Sequence, residues 1–214
     1  MLMRSQAILD RSFLVLLSVY LYNEYQGFTQ LGLLLEAFKR KYPNNVEMIA
    51  AISKHAADEK KHYLLFRSYF QSKGQMPLRL GSAFGYVDLL VERIFRRPIE
   101  TLDQVKLFDN EEAFFQLSRL IMMTESRGLK QVQWLLRTRW IQRNDRLYKL
   151  FRVIEADEPS HFLPYASWLK KHGAHHATWS EKLVELWVHI SLVIFRIPLL
   201  FLKFWQPRLK AFPY

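Results

Sequence analysis

The 214-residue sequence predicts an all-α fold: a four-helix bundle of two long hairpins, with a long crossover between helices 2 and 3 and an extra apolar helix at the C-terminal end. Three observations predict it. Apolar residues recur with a helical period over four long stretches. Turn-forming residues fall between those stretches. The pattern Ala-Asp-Glu-x-x-His occurs twice, at Ala57–His62 and Ala156–His161, and each copy follows a lone glutamate with a glycine three residues on, Glu24…Gly27 and Glu125…Gly128.

The first helix is expected from Ser5 or Asp10 to Lys41. Tyr42-Pro43-Asn44-Asn45 then turns the chain, with Asn45 as N-cap of a second helix from about Val46 to Ser72, stopped by Gly74 and Pro77. Residues 73–108 form the crossover, holding a shorter helix from about Ser82 to Arg96 before Pro98. The third long helix is expected from about Asn110 to Ile141, and the fourth from about Asp145 to His172, ended by Gly173. A final apolar segment runs from Glu181 to Trp205. Residues 1–175 are thus read as the bundle and 176–214 as a helical extension. Arg4 ahead of the apolar run Phe13–Tyr22 has the outline of an export signal, but the run continues on a helical period into Glu24 and lacks a small-residue cleavage site, so it reads as helix.

Half of the residues are apolar and 15% aromatic, which excludes a disordered chain. With no cysteine, disulfides, thiolate zinc sites and an iron–sulfur or rubredoxin-like module are excluded, so any electrons come from an external donor protein or reductant. A cytoplasmic location accords with that composition. Lys and Arg outnumber Asp and Glu by 31 to 20, which favours anionic partners without choosing among them.

The spacing of the motifs tests the hairpin layout. Each lone glutamate precedes its motif by nearly the same distance, 35 and 33 residues, and the midpoints fall near position 42 and position 142, where the turns are expected. Residues equally far from a hairpin turn lie level with one another. Glu24 should therefore stand level with Glu59, and Glu125 with Glu158. The two halves align with each other as a duplicated hairpin.

The i, i+3 spacing puts Glu and His of each motif on one helical face. One Glu from each of two helices plus Glu-x-x-His from the other two is the ligand set of a two-metal centre inside a helical bundle. Thirteen Glu and seven His in this length give roughly 0.4 Glu-x-x-His pairs by chance, so two copies with shared context and level glutamates make a strong signal. Four carboxylates converging in a core would repel without cations, whereas two divalent ions balance them. Oxygen-rich ligation with two imidazoles suits iron or manganese. Two iron ions are the first choice, and a manganese–iron pair the alternative.

With these residues in place, the chain resembles the ferritin-like di-iron carboxylate superfamily over roughly residues 10–172. The resemblance implies Glu24, Glu59, His62, Glu125, Glu158 and His161 as metal ligands, Glu59 and Glu158 bridging and Glu24 and Glu125 terminal. The string Ala-Ala-Asp-Glu-Lys-Lys-His at 56–62 is similar to the second metal motif of soluble acyl-carrier desaturases. That similarity implies that Asp58 orients His161 and that Asp157 orients His62, fixing the second nitrogen of each imidazole.

Several residues admit two readings. Pro159, inside the second motif, predicts a kink or wide turn, or a tolerated irregularity. Tyr20, one turn before Glu24, is a redox tyrosine or, more commonly, a packed core residue. Gly27 and Gly128 either make room for dioxygen or substrate or allow close helix packing. Glu155 and His55, one turn from the motifs, are expected in exposed or helix-pairing roles rather than in a proton path. His172, His175 and His176 read as a helix end and loop.

The C-terminal segment is almost uniformly apolar but carries Glu185, His189, Arg196 and Lys203, with Pro198 inside, which argues against a simple membrane span. A helix in the membrane interface, flanked by Trp187, Trp205, Arg208 and Lys210, and a helix packed on the bundle or in a homodimer contact are both consistent with it. Basic residues cluster at the hairpin turns (Lys39, Arg40, Lys41, Arg137, Arg139, Arg143 and Arg146), but without a nucleic-acid motif an exposed basic surface is the commoner explanation.

The expected function is an oxygen-dependent oxidoreductase (hydroxylase, desaturase or related oxygenase) with dioxygen as co-substrate, acting on a hydrophobic acyl, isoprenoid or carrier-bound substrate. The superfamily implies the chemistry; the apolar C-terminus hints at the substrate. The alternatives are a tRNA-modifying hydroxylase, and a ferroxidase or iron-handling protein without an organic substrate.

Overall fold

The computed structural model describes residues 2–107, 109–202 and 206–214; Lys203 and Trp205, counted above with the apolar C-terminal segment, lie outside them. The fold is all-helical, and among the described residues no β-strand forms. Among the described residues seven principal helices follow in order: α1 (Leu2–Lys41), α2 (Val46–Ser72), α3 (Tyr86–Phe95), α4 (Glu111–Leu136), α5 (Asp145–Asp157), α6 (Pro159–Lys171) and α7 (Trp179–Ile190). Short helical turns lie at Ser82–Phe84, Ile99–Thr101, Gln104–Leu107 and Arg139–Gln142.

Local chemistry sets the boundaries. Asn45 Oδ1 accepts the Met48 N–H at 3.2 Å and caps α2, which spans the expected Val46–Ser72. Gly74, at φ +59°, supplies the left-handed residue that ends it. Asn110 and Asn144 cap α4 and α5 in the same way. In the crossover the expected helix is divided, because Gly85 is extended and separates the turn Ser82–Phe84 from α3. The third long helix ends five residues short of Ile141: Thr138 is extended, and its hydroxyl donates to the Leu135 carbonyl at 2.6 Å, competing with the helical ladder.

Pro159 splits the fourth long helix into α5 and α6. Proline lacks the N–H that would continue the ladder, and the chain closes the gap with a tightened turn in which the His161 N–H donates to the Glu158 carbonyl at 2.9 Å. The interruption is therefore a tight turn, not a wide one.

Helix α1 packs along α2 as one hairpin, α4 packs along α5 and α6 as the other, and α2 joins the two by packing on α5 and α6. Among the described residues three apolar clusters form the core, a small one of Leu89, Leu90, Leu120, Val188 and Leu192 under α7 and two larger ones inside the bundle. Of the larger two, one gathers Leu17, Leu21, Tyr63, Phe66, Phe151 and Ile154; the other gathers Leu31, Leu34, Phe38, Ile52, Phe114 and Trp168. Fully burying a side chain such as Phe38 or Phe66 contributes about 1.5–3 kcal/mol each. Along α1 the break between the two clusters falls at Glu24, and along α2 at Glu59. The polar centre thus lies between two apolar blocks.

The crossover helix α3 packs against α1, α4 and α7. Helix α7 starts at a capping box between Thr178 and Glu181. It runs on through a π-helical turn, Ser191–Arg196, into the helical segment Ile197–Leu202. Pro198 accounts for the wide turn, since its ring clashes with the carbonyl of the preceding turn and it donates no hydrogen bond. Two carboxylates tie α7 down. Buried Glu181 accepts from Arg119 at 2.8–3.1 Å, and Glu185 is held by Arg127 and the Tyr86 hydroxyl. The chain then returns to the body, where Leu78 and Arg208 form an isolated antiparallel bridge.

Candidate metal centre

The centre is built by periodicity on each helix. On α2, Ile52, His55, Glu59, His62 and Phe66 recur at intervals of three or four, so the polar residues share the stripe that packs into the core. Glu24 enters from α1, Glu125 from α4, Glu158 from the α5–α6 junction and His161 from the first turn of α6. Glu24, Glu59, Glu158, His55, His62 and His161 are buried, and Glu125 is half-buried. The six side chains singled out as ligands by sequence converge. His55, expected in an exposed or pairing role, joins them at 1% exposure.

Among the described residues two groups of donor atoms form, His55–Glu59–Glu125–His161 and Glu24–Glu59–His62, and Glu59 belongs to both. His62 Nδ1 lies 3.3 Å from Glu24 Oε2 and 3.9 Å from Glu59 Oε1. His161 Nδ1 lies 3.3 Å from Glu59 Oε1, 3.8 Å from Glu125 Oε2 and 3.9 Å from Glu158 Oε2. These atoms face one another without bonding: His62 Nδ1, His161 Nδ1 and Glu158 Oε2 are buried and have no hydrogen-bond partner. Buried polar atoms are almost always satisfied, so such a cluster needs a further group to justify it. Ligands about 2.1 Å from a shared ion and 90–120° apart stand roughly 3.0–3.6 Å from each other, close to the spacings seen. The donor set fits divalent cations.

The electrostatics agree. Burial, reinforced by the charge of Glu125, pushes Glu24 up to about 8. Burial and the neighbouring Glu24 push Glu59 up to about 7. Glu158 is driven well above the carboxylate range by burial and by Glu125, Glu59 and Glu24. Burial works the same way on Glu125, but His161 and His55 outweigh it and hold that group below its usual value. Burial lowers His62. His161 is raised, because Glu125 and Glu59 overcome the cost of burying its charge. Carboxylates kept neutral by one another's charge are a poor arrangement in a core, and cations between them would relieve it.

Each inward imidazole is held from behind by the opposite hairpin. His62 Nε2 lies 2.9 Å from Asp157 Oδ2, and His161 Nε2 lies 3.4 Å from Asp58 Oδ2. Lysines stand behind the aspartates. Lys61 donates to Asp58 at 2.8 Å and lies 2.7 Å from Asp157, and Lys54 also bonds Asp58. Burial opposes ionisation of Asp58, but Lys54 and Lys61 hold it well below the usual carboxylate range. The aspartates are therefore anionic acceptors, which fixes each histidine with Nδ1 toward the centre. Sequence reasoning missed the lysines, although Lys54 at i−4 and Lys61 at i+3 from Asp58 are helix-pairing positions.

A cavity of about 140 Å³ opens beside the centre, with Glu24, Glu59, Glu125 and Glu158 in its wall. Tyr20, Val87, Leu192, Val193 and Ile197 supply much of its apolar lining, and Arg127 and His189 stand at its polar margin. A second, more apolar cavity of about 70 Å³ shares Gly27, Val87, Thr124 and Glu125 with the first and extends toward Leu34 and Ile99. Helix α3 roofs both through Val87. Tyr20 stacks on Phe66 at 5.5 Å and meets Phe151 edge-on at 5.3 Å, so it is a packed wall residue.

The two glycines differ. A Cβ on Gly27 would stand 2.5 Å from Glu59 Oε2, so Gly27 makes room for that carboxylate. A Cβ on Gly128 would meet Glu158 at 3.7 Å, an ordinary contact. Glu155 pairs with Arg152 away from the centre, and His172, His175 and His176 make ring contacts near the end of α6.

No family model matches this chain, and no curated protein and no solved structure is significantly similar to it.

Proposed function

We propose that the chain is an oxygen-dependent, non-haem di-iron oxidoreductase of ferritin-like architecture, acting on a hydrophobic substrate. The observation that carries this reading is the pair of carboxylate–imidazole groups sharing Glu59, set against an apolar cavity. Glu24, Glu59, His62, Glu125, Glu158 and His161 would hold the two ions, with manganese–iron as the alternative pair. When bound, the metal pair supplies dioxygen activation for oxidation of an unactivated carbon–hydrogen bond.

The chain's own residues do the rest. Four carboxylates balance the charge of two divalent ions. Asp58 and Asp157 hold the imidazoles in one tautomer and raise their basicity as ligands. Tyr20, Val87, Leu192 and Ile197 orient an apolar chain beside Glu59 and Glu158 and keep water from the reacting carbon. With no cysteine, the chain has no thiolate-bound redox centre of its own, and an external donor supplies the electrons.

The test is anaerobic loading of the purified chain with ferrous ion, followed by metal analysis and by oxygen uptake in the presence of a chemical reductant and acyl or isoprenoid substrates. Two irons per chain and substrate-dependent uptake are expected, both lost in Glu59→Ala. Absence of bound transition metal would falsify the reading. Iron oxidation without any oxidised organic product would favour iron handling instead, and turnover confined to tRNA would favour the tRNA-modifying alternative.

A further inference from the structure

We propose that His55 is a third imidazole ligand, so that the two metal positions are inequivalent: His55, His161, Glu59 and Glu125 around one, Glu24, Glu59 and His62 around the other, with Glu158 outside both groups but 3.9 Å from His161 Nδ1. This rests on the di-metal reading above. Both ring nitrogens of His55 are buried without a hydrogen-bond partner, a costly state for a polar group with no further role. Nε2 lies 3.7 Å from both Glu59 Oε1 and Glu125 Oε1, too far for a hydrogen bond but suited to ligands that share an ion. The ring stacks on His161 with centroids 4.2 Å apart and planes at 25°, so both imidazoles approach the same carboxylates from one side.

The duplication sharpens the point. His55 lies four residues before Glu59, and the matching position before Glu158 is Ile154, fully buried in apolar surroundings. One copy of the motif therefore reads His-x-x-x-Glu-x-x-His and the other does not. A single histidine on one side of a pseudo-symmetric pair makes one position richer in nitrogen, and that position should fill first.

Cobalt(II) added to the intact chain without oxygen tests this by proton NMR, because each coordinated imidazole gives a strongly shifted exchangeable N–H resonance. Three such resonances are expected at two cobalt per chain, and two in His55→Phe, which keeps a stacking ring. First-ion affinity should fall by at least about tenfold in His55→Phe, the lower end of what losing even a supporting partner of a ligand costs. The metal-free circular dichroism spectrum should be unchanged. Two cobalt ions with only two shifted resonances in the native chain, or native affinity in a folded His55→Phe, would overturn the assignment and leave the di-metal reading standing. No cobalt uptake by the native chain would overturn both.

The outer face of the C-terminal helix carries an independent assignment: we infer that it lies against an anionic lipid surface. Between Trp179 and Leu202 the only acidic residues are Glu181 and Glu185, and both turn inward onto Arg119 and Arg127. The outer face presents Leu183, Leu186, Trp187, Ile190, Ile194 and Phe195, the last 63% exposed. Cations rim it, with Arg93 4.4 Å over the Trp187 ring and Lys182 5.4 Å over that of Trp179. At the adjoining end of α3, Arg93, Arg96 and Arg97 outnumber Glu92. An apolar face with no exposed acid of its own, rimmed by cations that outnumber the exposed Glu92, matches an anionic bilayer, whereas a second copy would set the like charges of two such rims against each other.

The two inward ion pairs hold the helix on the protein, so it lies along the surface rather than crossing it. Val193 is exposed on this face and also lines the cavity beside Glu59, which places the cavity mouth where apolar molecules would arrive from lipid. The full chain should co-sediment with vesicles of phosphatidylcholine and phosphatidylglycerol, less with phosphatidylcholine alone, and not after Ile194→Glu with Phe195→Glu, at an unchanged melting temperature. Retention of native vesicle binding by that folded double variant would overturn the inference. So would a native chain that stays in solution beside anionic vesicles, or one that forms a dimer abolished by those substitutions without vesicle binding.

Discussion

Gly27 on α1 faces Glu59 on α2 so closely that a methyl group there would stand 2.5 Å from the carboxylate oxygen Oε2. Glu59 is the residue shared by both donor groups, so the bare backbone of Gly27 sets where the shared carboxylate lies. Gly27→Ala should displace Glu59 and weaken metal binding at least tenfold. Gly128→Ala meets only an ordinary 3.7 Å contact and should bind metal as the native chain does. Replacing a helical glycine with alanine gains up to about 1 kcal/mol of helix propensity, so Gly128→Ala should also melt higher. Metal titration and thermal melts of the two variants separate these outcomes.

The two aspartates should not be equal in effect. Asp157 holds His62 at 2.9 Å and, among the described lysines, meets Lys61 alone, while Asp58 holds His161 at 3.4 Å and serves both Lys54 and Lys61. Losing such a partner costs about 10–100-fold in metal affinity. Competition against a chelator should place Asp157→Asn toward the upper end of that range and Asp58→Asn toward the lower.

Metal removal should expose a pH dependence. Glu24 and Glu59 are raised to about 8 and about 7 by burial and by neighbouring charge. The folded metal-free protein therefore keeps protons that the unfolded chain loses near 4.5. That stability is fully present below about pH 4.5 and is lost as pH rises through 7 and 8, at up to about 1.4 kcal/mol per pKa unit for each group. Chelator-treated protein should melt lower at pH 8 than at pH 5.5. The metal-loaded protein should show a flat profile, or the opposite slope, since its ligands are already ionised.

The buried pair of Arg119 and Glu181 anchors α7. Stranding one partner of a buried ion pair costs about 3–5 kcal/mol, but without Glu181 the Arg119 guanidinium keeps Glu112 at 2.7 Å and the Ala174 carbonyl at 3.3 Å. Glu181→Ala should therefore lose less than about 3 kcal/mol in urea denaturation, and Glu181→Ala with Glu112→Ala should lose more than the sum of the two single changes. Thr178→Ala, which removes only the capping hydroxyl, should lose about 1 kcal/mol.

The helical layout was legible because apolar period and turn chemistry are local. Asn45 and Gly74 bracket α2 at the residues expected, and Gly173 ends α6. Two boundaries were less legible, since Thr138 and Gly85 break helices by competing hydrogen bonds and extended backbone that a periodic pattern does not register. Pro159 announces an interruption, but whether the chain widens or tightens there depends on which carbonyl the His161 N–H can reach.

Spacing levels Glu24 with Glu59 and Glu125 with Glu158, because equal distance from a hairpin turn puts residues level, and with the repeated Glu-x-x-His pattern the meeting of both pairs with His62 and His161 could be read. His55 could not. Its period placed it on the inner stripe of α2, but that stripe is several residues wide, and only packing against α4 and α6 turns it toward Glu125 and His161 rather than to solvent.

The sequence by itself determined the helices, their pairing and the level at which charged residues meet, since these follow from repeat and turn. The tertiary structure decided that Asp157 and Asp58 reach across to the opposite hairpin, that Gly27 yields to Glu59, and that both acids of α7 face inward. Those are distances between separate helices, and local periodicity fixes a direction around one axis without fixing how far away the next axis lies.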